Sequence, residues 1–161
     1  IRLLPRHTVL ENVLLGQHCQ SGPLDMLRPI GLSRARQDLA MATLDMLGLA
    51  DYARTEARGL SYGIRKQVEI ARALQPGPRL LLLDEPAAGL NEGETADLAE
   101  TLVKIRETGV AQLIVEHDLG FVERLADSVV VLNFGRLIAS GTLQEVRGDD
   151  TFRAAYLGEA S

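Results

Sequence analysis

Cysteine is nearly missing from this chain: Cys19 is the single one among 161 residues, so no internal disulfide can form. That suits a reducing compartment. Long apolar runs are missing too. Nothing approaches the roughly 18 consecutive apolar residues of a membrane-spanning helix, and no signal-peptide pattern is visible. Any association with a membrane is therefore expected to run through a partner. There is no basic excess: 17 Lys and Arg stand against 22 Asp and Glu, a formal net charge of -5. The basic residues are scattered rather than striped, which argues against a nucleic-acid partner. Internal repeats and low-complexity stretches are absent. So is any G-x-x-x-x-G-K-[ST] run, the loop that wraps the β- and γ-phosphates of a nucleotide. What is present is globular in kind, 46% hydrophobic and 24% charged, at a length that fits one domain or parts of two.

The most informative stretch is Leu80-Leu81-Leu82-Leu83-Asp84-Glu85-Pro86. A short unbroken apolar run predicts a strand buried on both faces, as in parallel α/β sheets. Pro86 has no N–H to donate and favours an end to the ladder there. Asp84 and Glu85 then lie at the carboxyl end of a strand, where open α/β sheets bind ligands. Two acids in that place suit a cation and a proton acceptor, the needs of phosphoryl transfer to water. Taken alone, the pair is equally well explained as a solvated turn.

Upstream, Leu60-Ser61-Tyr62-Gly63 precedes a segment in which Ile64, Val68, Ala71 and Leu74 make one apolar stripe at helical spacing. Ser61 is placed to cap that helix, and Gly63 removes a side chain where the backbone must approach something closely. Bare N–H groups and a hydroxyl at a helix start suit phosphate oxygens, although an ordinary serine cap on a core helix explains them as well. Downstream, Leu113-Ile114-Val115 reads as a second short strand, followed by Glu116-His117-Asp118. A histidine there can donate to a terminal phosphate or position a water.

These residues resemble, in order and spacing, an ABC-type ATPase. Leu60 to Gly63 and Glu69 to Leu74 look like its signature motif and helix, Leu80 to Pro86 like its Walker B strand with catalytic Glu, and His117 like its switch histidine. The segments Thr8 to Val13, Ala87 to Asn91, Val115 to Asp118 and Ala155 to Ala160 resemble, more narrowly, the ATP-binding subunit of bacterial branched-chain amino-acid importers. The resemblance runs over nearly the whole chain. It implies an α/β fold: a partial P-loop NTPase (RecA-like) core with a mostly parallel sheet, plus an α-helical subdomain. In the family the phosphate loop, an adenine-stacking aromatic and the Q-loop glutamine all precede the segment that aligns with Ile1. The chain is therefore expected to be the C-terminal portion of a longer subunit. Two further departures are Ile64, where the general signature carries glutamine, and Asn91, where many relatives have Asp.

The resemblance also implies roles. Asp84 would hold Mg²⁺ through its water shell, Glu85 would polarise the attacking water, and His117 would contact the γ-phosphate. Ser61 and Gly63 would reach ATP bound mainly by a second copy, since the family sandwiches nucleotide between two ATP-binding subunits, and Asn91 would lie at that interface. Residues 1–75 are expected to form the helical subdomain that faces transmembrane permease subunits, and 76–161 the C-terminal part of the core. The expected location is cytoplasmic, on the inner face of the plasma membrane, with a solute-binding protein as an indirect partner. Two alternatives stay open: the ATPase of lipopolysaccharide export, whose tail is similar, and a nucleotide-incompetent assembly module. On its own the chain is expected to hydrolyse no ATP and to self-associate.

Smaller features follow from punctuation. Thr8 and Glu11 resemble a capping box opening a helix to Gln17. Residues 21–31 read as a loop, and Ser33 as the cap of a helix with apolar positions Leu39, Ala42, Met46 and Leu47, ending near Gly48. A helix from Asn91 or Glu92 is expected to turn Leu98, Leu102 and Ile105 inward, with Gly109 past its end. Val129 to Leu132 and Arg136 to Ile138 predict two strands around an Asn133-Phe134-Gly135 turn, and an amphipathic segment from Thr151 closes the chain.

Overall fold

A computed structural model describes residues 3–20 and 34–157. The chain divides into two compact units, Ile1–Glu116 and His117–Ser161. This division by packing falls later than the expected boundary after residue 75.

In the first unit, helix α1 (Val9–Leu14) opens with the expected capping box. The Glu11 N–H donates to Thr8 Oγ1 at 3.2 Å, and the Thr8 N–H donates back to Glu11 Oε2 at 2.7 Å. The helix is shorter than expected; Leu15–Gln20 continue it as a 3₁₀ turn. There Gly16 lies against the next helical layer so closely that a Cβ would sit 2.1 Å from the Arg72 carbonyl oxygen. Asn12 is fully buried and works as a staple for the segment before the helix. Its Oδ1 accepts from the Leu4 N–H at 2.7 Å, and its Nδ2 donates to the carbonyls of Leu4, His7 and Thr8 at 3.1, 3.3 and 2.9 Å. Backbone bonds from Val9 to Thr55 and from Ala57 to His7 fasten this segment to residues 53–57.

Helix α2 (Arg34–Met46) turns only part of its apolar set inward. Its inward stripe is Ala40 and Leu44, continued by Leu47, at spacings of four and three. Leu39 is 52% exposed and Ala42 is exposed as well. The apolar residues are ambiguous here because two stripes one residue apart can be drawn through them. Gly48 ends the segment with φ +74, a left-handed position natural to glycine. The expected Ser33 cap and the loop at 21–31 lie outside the described residues. Helix α3 (Tyr62–Leu74) buries Val68 and Ala71 as expected, together with Gln67 and Ile70, while Ile64 and Leu74 are only half-buried.

Strands β1 (Leu80–Asp84) and β2 (Ala111–Val115) pair in parallel, Leu82 opposite Leu113 and Asp84 opposite Val115. Helix α4 (Glu92–Glu107) connects them and buries Leu98, Leu102 and Ile105; Gly109 follows at φ +87. Gln112 of β2 donates to the Leu102 carbonyl at 2.7 Å, fastening strand to helix. The expectation that β1 is buried on both faces fails in this chain. Leu81 is buried, but Leu82 is 67% exposed, and Leu80, Leu113 and Val115 lie open on the same side. Two strands with a period of two bury one face against the unit's helices and leave the other bare.

The second unit holds helix α5 (Leu119–Leu125), the antiparallel strands β3 (Val129–Asn133) and β4 (Arg136–Gly141), and helices α6 (Leu143–Gly148) and α7 (Asp150–Phe152). The expected turn is tighter than Asn133 to Gly135: Asn133 pairs with Arg136 in the ladder, and Phe134 and Gly135 alone make the turn, with φ of 46 and 77. Both central residues left-handed is the type I′ pattern, whose twist suits a hairpin. Phe121, Val146 and Phe152 form the buried centre, and a paired contact from Arg147 to Glu123 joins α6 to α5.

Candidate functional site

The site is built where β1 meets the start of α3. Asp84 is the last residue of the strand, and Glu85 follows it with its N–H still donating to the Val115 carbonyl at 2.9 Å. Glu85 then turns left-handed, φ 44, which costs a non-glycine residue on the order of 1 kcal/mol or more. The reversal lets the chain fold back at once: the Ala88 N–H donates to the Glu85 carbonyl and Leu90 to that of Ala87, both at 3.1 Å. Both acids of the pair are exposed. They border an open cleft of about 540 Å³ whose wall also includes Tyr62, Lys66, Glu69 and Leu82.

Two charged side chains grip the turn. From β2's end, Glu116 Oε1 accepts the Ala87 N–H at 2.8 Å. From α3, Lys66 Nζ donates to the carbonyls of Glu85, Pro86 and Ala88 at 3.3, 2.6 and 2.8 Å. The ammonium also lies 5.3 Å from the centre of the Tyr62 ring, within cation–π range. Partial burial pushes the Lys66 pKa below the usual lysine value, opposed by the nearby Glu116, Glu69 and Glu85 carboxylates.

The start of α3 is organised by a different acid. Ser61 caps the helix by accepting the Ile64 N–H at 3.3 Å, and Asn91 caps α4 by accepting the Glu94 N–H at 2.9 Å. Glu94 joins the two: its Oε2 accepts the Asn91 N–H at 3.3 Å and its Oε1 the Gly63 N–H at 3.2 Å. The Glu94 carboxyl is held below the usual range by these donors, Asn91 first and then Gly63, with the Ser61 hydroxyl adding to them. A Cβ on residue 63 would come within 2.9 Å of that carboxyl, so the close approach expected of Gly63 is made, and Glu94 is what it approaches. Ser61, Gly63 and Asn91 are thus gathered around one carboxylate. Asp84 and Glu85 stand at the cleft beside Tyr62 of the same motif. His117 is exposed and opens the second unit, directly ahead of Asp118, which caps α5 by accepting from Gly120 and Phe121 at 2.8 and 3.2 Å.

Three participants were not anticipated. Glu94 had a readable sign, since Asn91 and Glu94 stand at capping-box spacing. Glu116 was legible only as a neighbour of His117. Lys66 carries no pattern at all: one basic residue on a helix usually means a solvated face.

A metal would find limited support in the chain itself. Among the described residues no three His, Cys, Asp or Glu side chains come together. That composition still fits Mg²⁺ in a phosphate site, which keeps its waters and takes only one or two carboxylates besides phosphate oxygens. Asp84 supplies one such carboxylate, exposed at the strand end.

Comparison with known proteins agrees with this geometry. The chain is 38% identical over 170 residues to the high-affinity branched-chain amino acid transport ATP-binding protein LivG of Salmonella typhimurium, covering 99% of this chain and 66% of LivG. It is 36% identical over 167 residues to the corresponding protein BraF of Pseudomonas aeruginosa, again over 99% of this chain and 66% of the relative. The chain therefore spans just under two thirds of the length of these curated relatives. Among solved structures it resembles MJ1267, an ATP-binding cassette of an ABC transporter crystallised in its ADP conformation. The TM-score is 0.83 at 33% identity, over 97% of this chain and 65% of that one. The expected P-loop NTPase fold of an ABC cassette is thereby established for the part the chain contains. The family model described as ABC transporter matches residues 1–88, more than half of the sequence, and the chain belongs to the ABC transporter family.

Proposed function

We propose that the chain is part of an ATP-binding and ATP-hydrolysing subunit of an importer for branched-chain amino acids. The observation that carries this reading is the match over 99% of this chain to LivG, a protein named for ATP binding in high-affinity branched-chain amino acid transport, combined with the gathering of Ser61, Gly63 and Asn91 in the first unit.

Each side chain has a task in this reading. Glu85 lies exposed at the cleft, where its carboxylate accepts the proton of a water attacking a terminal phosphate. Asp84 holds Mg²⁺ through bound water, and the ion neutralises charge on the triphosphate when present. Ser61 and the amides at the start of α3 face a nucleotide carried chiefly by a second copy, which makes the working form a dimer with Asn91 near the interface. His117 reports on the terminal phosphate from the start of the second unit. Residues 1–75 serve as the helical subdomain that meets the permease, and 76–161 as the remainder of the nucleotide-binding core. Among the described residues no helix is long and apolar enough to cross a membrane. In this reading the permease supplies attachment at the inner face.

The decisive measurement is ATP turnover by the complete subunit with its membrane partner. Stimulation by a leucine-loaded binding protein is the expected result. Stimulation by lipopolysaccharide-type lipid instead would replace the importer reading with the export one.

A second property is favoured by the bare face of the β1–β2 pair. Contiguous exposed apolar residues such as Leu80, Leu82, Leu113 and Val115 are unusual on a monomer. We expect the 161 residues alone to self-associate in light scattering and to show negligible ATP hydrolysis. A monodisperse monomer that turns over ATP would overturn this expectation.

A further inference from the structure

Lys66 stands out among the side chains to which no task has been given. An ammonium has three donors, and here all three are spent on main-chain carbonyls of one turn, those of Glu85, Pro86 and Ala88. None of them is spent on a carboxylate, although Glu69, Glu85 and Glu116 all lie near enough to act on its charge. A lysine drawn simply to negative charge would pair with one of those acids. This one instead fixes the backbone of the segment that bears Glu85. The left-handed Glu85 backbone is the kind of strained conformation that persists only when its surroundings over-determine it. The restraints from the surroundings include the ladder bond from the Glu85 N–H to Val115, the Glu116 bond to Ala87, and the Lys66 clasp. The first two hold amide hydrogens. The clasp gathers three carbonyls of the turn, and it reaches them from α3. Tyr62 closes the arrangement, with its ring near Lys66 on one side and within 3.4 Å of the Cβ position of Gly89 on the other.

We propose that Lys66 is the positioning residue for Glu85: its ammonium ties the signature helix α3 to the turn after β1 and thereby fixes where the Glu85 carboxylate points. The proposal rests on the ATPase reading for its catalytic consequence, but not for the clasp itself. It also implies that α3, whose first turn is assigned to the nucleotide of the opposite copy, shares a rigid joint with the acid that serves its own.

Two measurements test it. In the complete subunit, Lys66→Met is expected to lower kcat for ATP by about 10- to 100-fold, the range a misplacement near 1 Å produces, with KM for ATP changed less than about twofold. Lys66→Arg, which retains charge and several donors, is expected to recover kcat to within about threefold of the original. A kcat unchanged in Lys66→Met, or a loss expressed in KM alone, would overturn the proposal. In the 161-residue chain, hydrogen exchange at the amides of Ala87, Ala88 and Leu90 is expected to accelerate in Lys66→Met and to slow again in Lys66→Arg. Equal exchange in all three overturns the clasp. If the complete subunit proves inactive while the exchange result holds, the ATPase reading fails and the clasp stands.

Discussion

Replacing Glu85 by glutamine is expected to lower the rate of ATP hydrolysis by the complete subunit by about 10²–10⁴, the usual worth of a positioned general base. Nucleotide affinity is expected to stay within about a factor of two of the original, since the base acts in the transition state more than in binding. The substitution isolates chemistry from architecture. Glutamine has nearly the same shape and tolerates the same backbone, and each bond described for residue 85 that holds the turn is a backbone bond. The amide donates to Val115, and the carbonyl accepts from Lys66 and Ala88. What is lost is the capacity to take a proton. Single-turnover hydrolysis, paired with equilibrium binding of a fluorescent nucleotide, separates the two quantities. A rate within about threefold of the original would remove Glu85 from the chemistry and return it to the class of solvated turn acids.

The second large effect concerns stability. Asn12→Ala is expected to destabilise the first unit by about 2–4 kcal/mol, because a fully buried side chain with four hydrogen bonds is removed at once. The Leu4 N–H loses its partner, three carbonyls lose a donor, and a void opens beneath the start of α1. The segment before α1 is also what residues 53–57 hold through Val9 and Ala57, so loosening is expected to reach the loop that leads into α3. Denaturant titration of the original and variant chains measures the shift in midpoint. Asn12→Asp makes a useful companion: it keeps the acceptor for Leu4 but sets a buried carboxylate oxygen against three carbonyls, and is expected to destabilise at least as much as Asn12→Ala. A loss below about 0.5 kcal/mol in Asn12→Ala would mean that water replaces the amide without penalty.

Much of this architecture was legible in the residues because its determinants are local. The Thr8–Glu11 box, the Ser61 and Asn91 caps, Gly48 and Gly109 past helix ends and the Phe134-Gly135 turn each depend on a few neighbouring residues with restricted chemistry. The burial of α2 was not legible. Its stripe rests on small differences among Leu39, Ala40, Ala42 and Leu44, and which of two adjacent faces turns inward is decided by helices distant in sequence. The strand β1 was identified, but the state of its faces was not, because burial belongs to what covers a sheet rather than to the strand. The site divides in the same way. The residues that resemble family motifs were found by their spacing, whereas Lys66 and Glu94 act through partners 19 to 31 positions away. No window along the chain contains such a contact.

With Glu85 as the base of the proposed ATPase, the left-handed backbone at position 85 sets folding and chemistry at odds. Glycine or asparagine would adopt φ 44 more comfortably than glutamate, so a library of variants screened only for resistance to heat should drift toward those two residues. A library screened for transport-coupled turnover should reject both. Position 85 would then be a place where selection for durability and selection for work choose different amino acids.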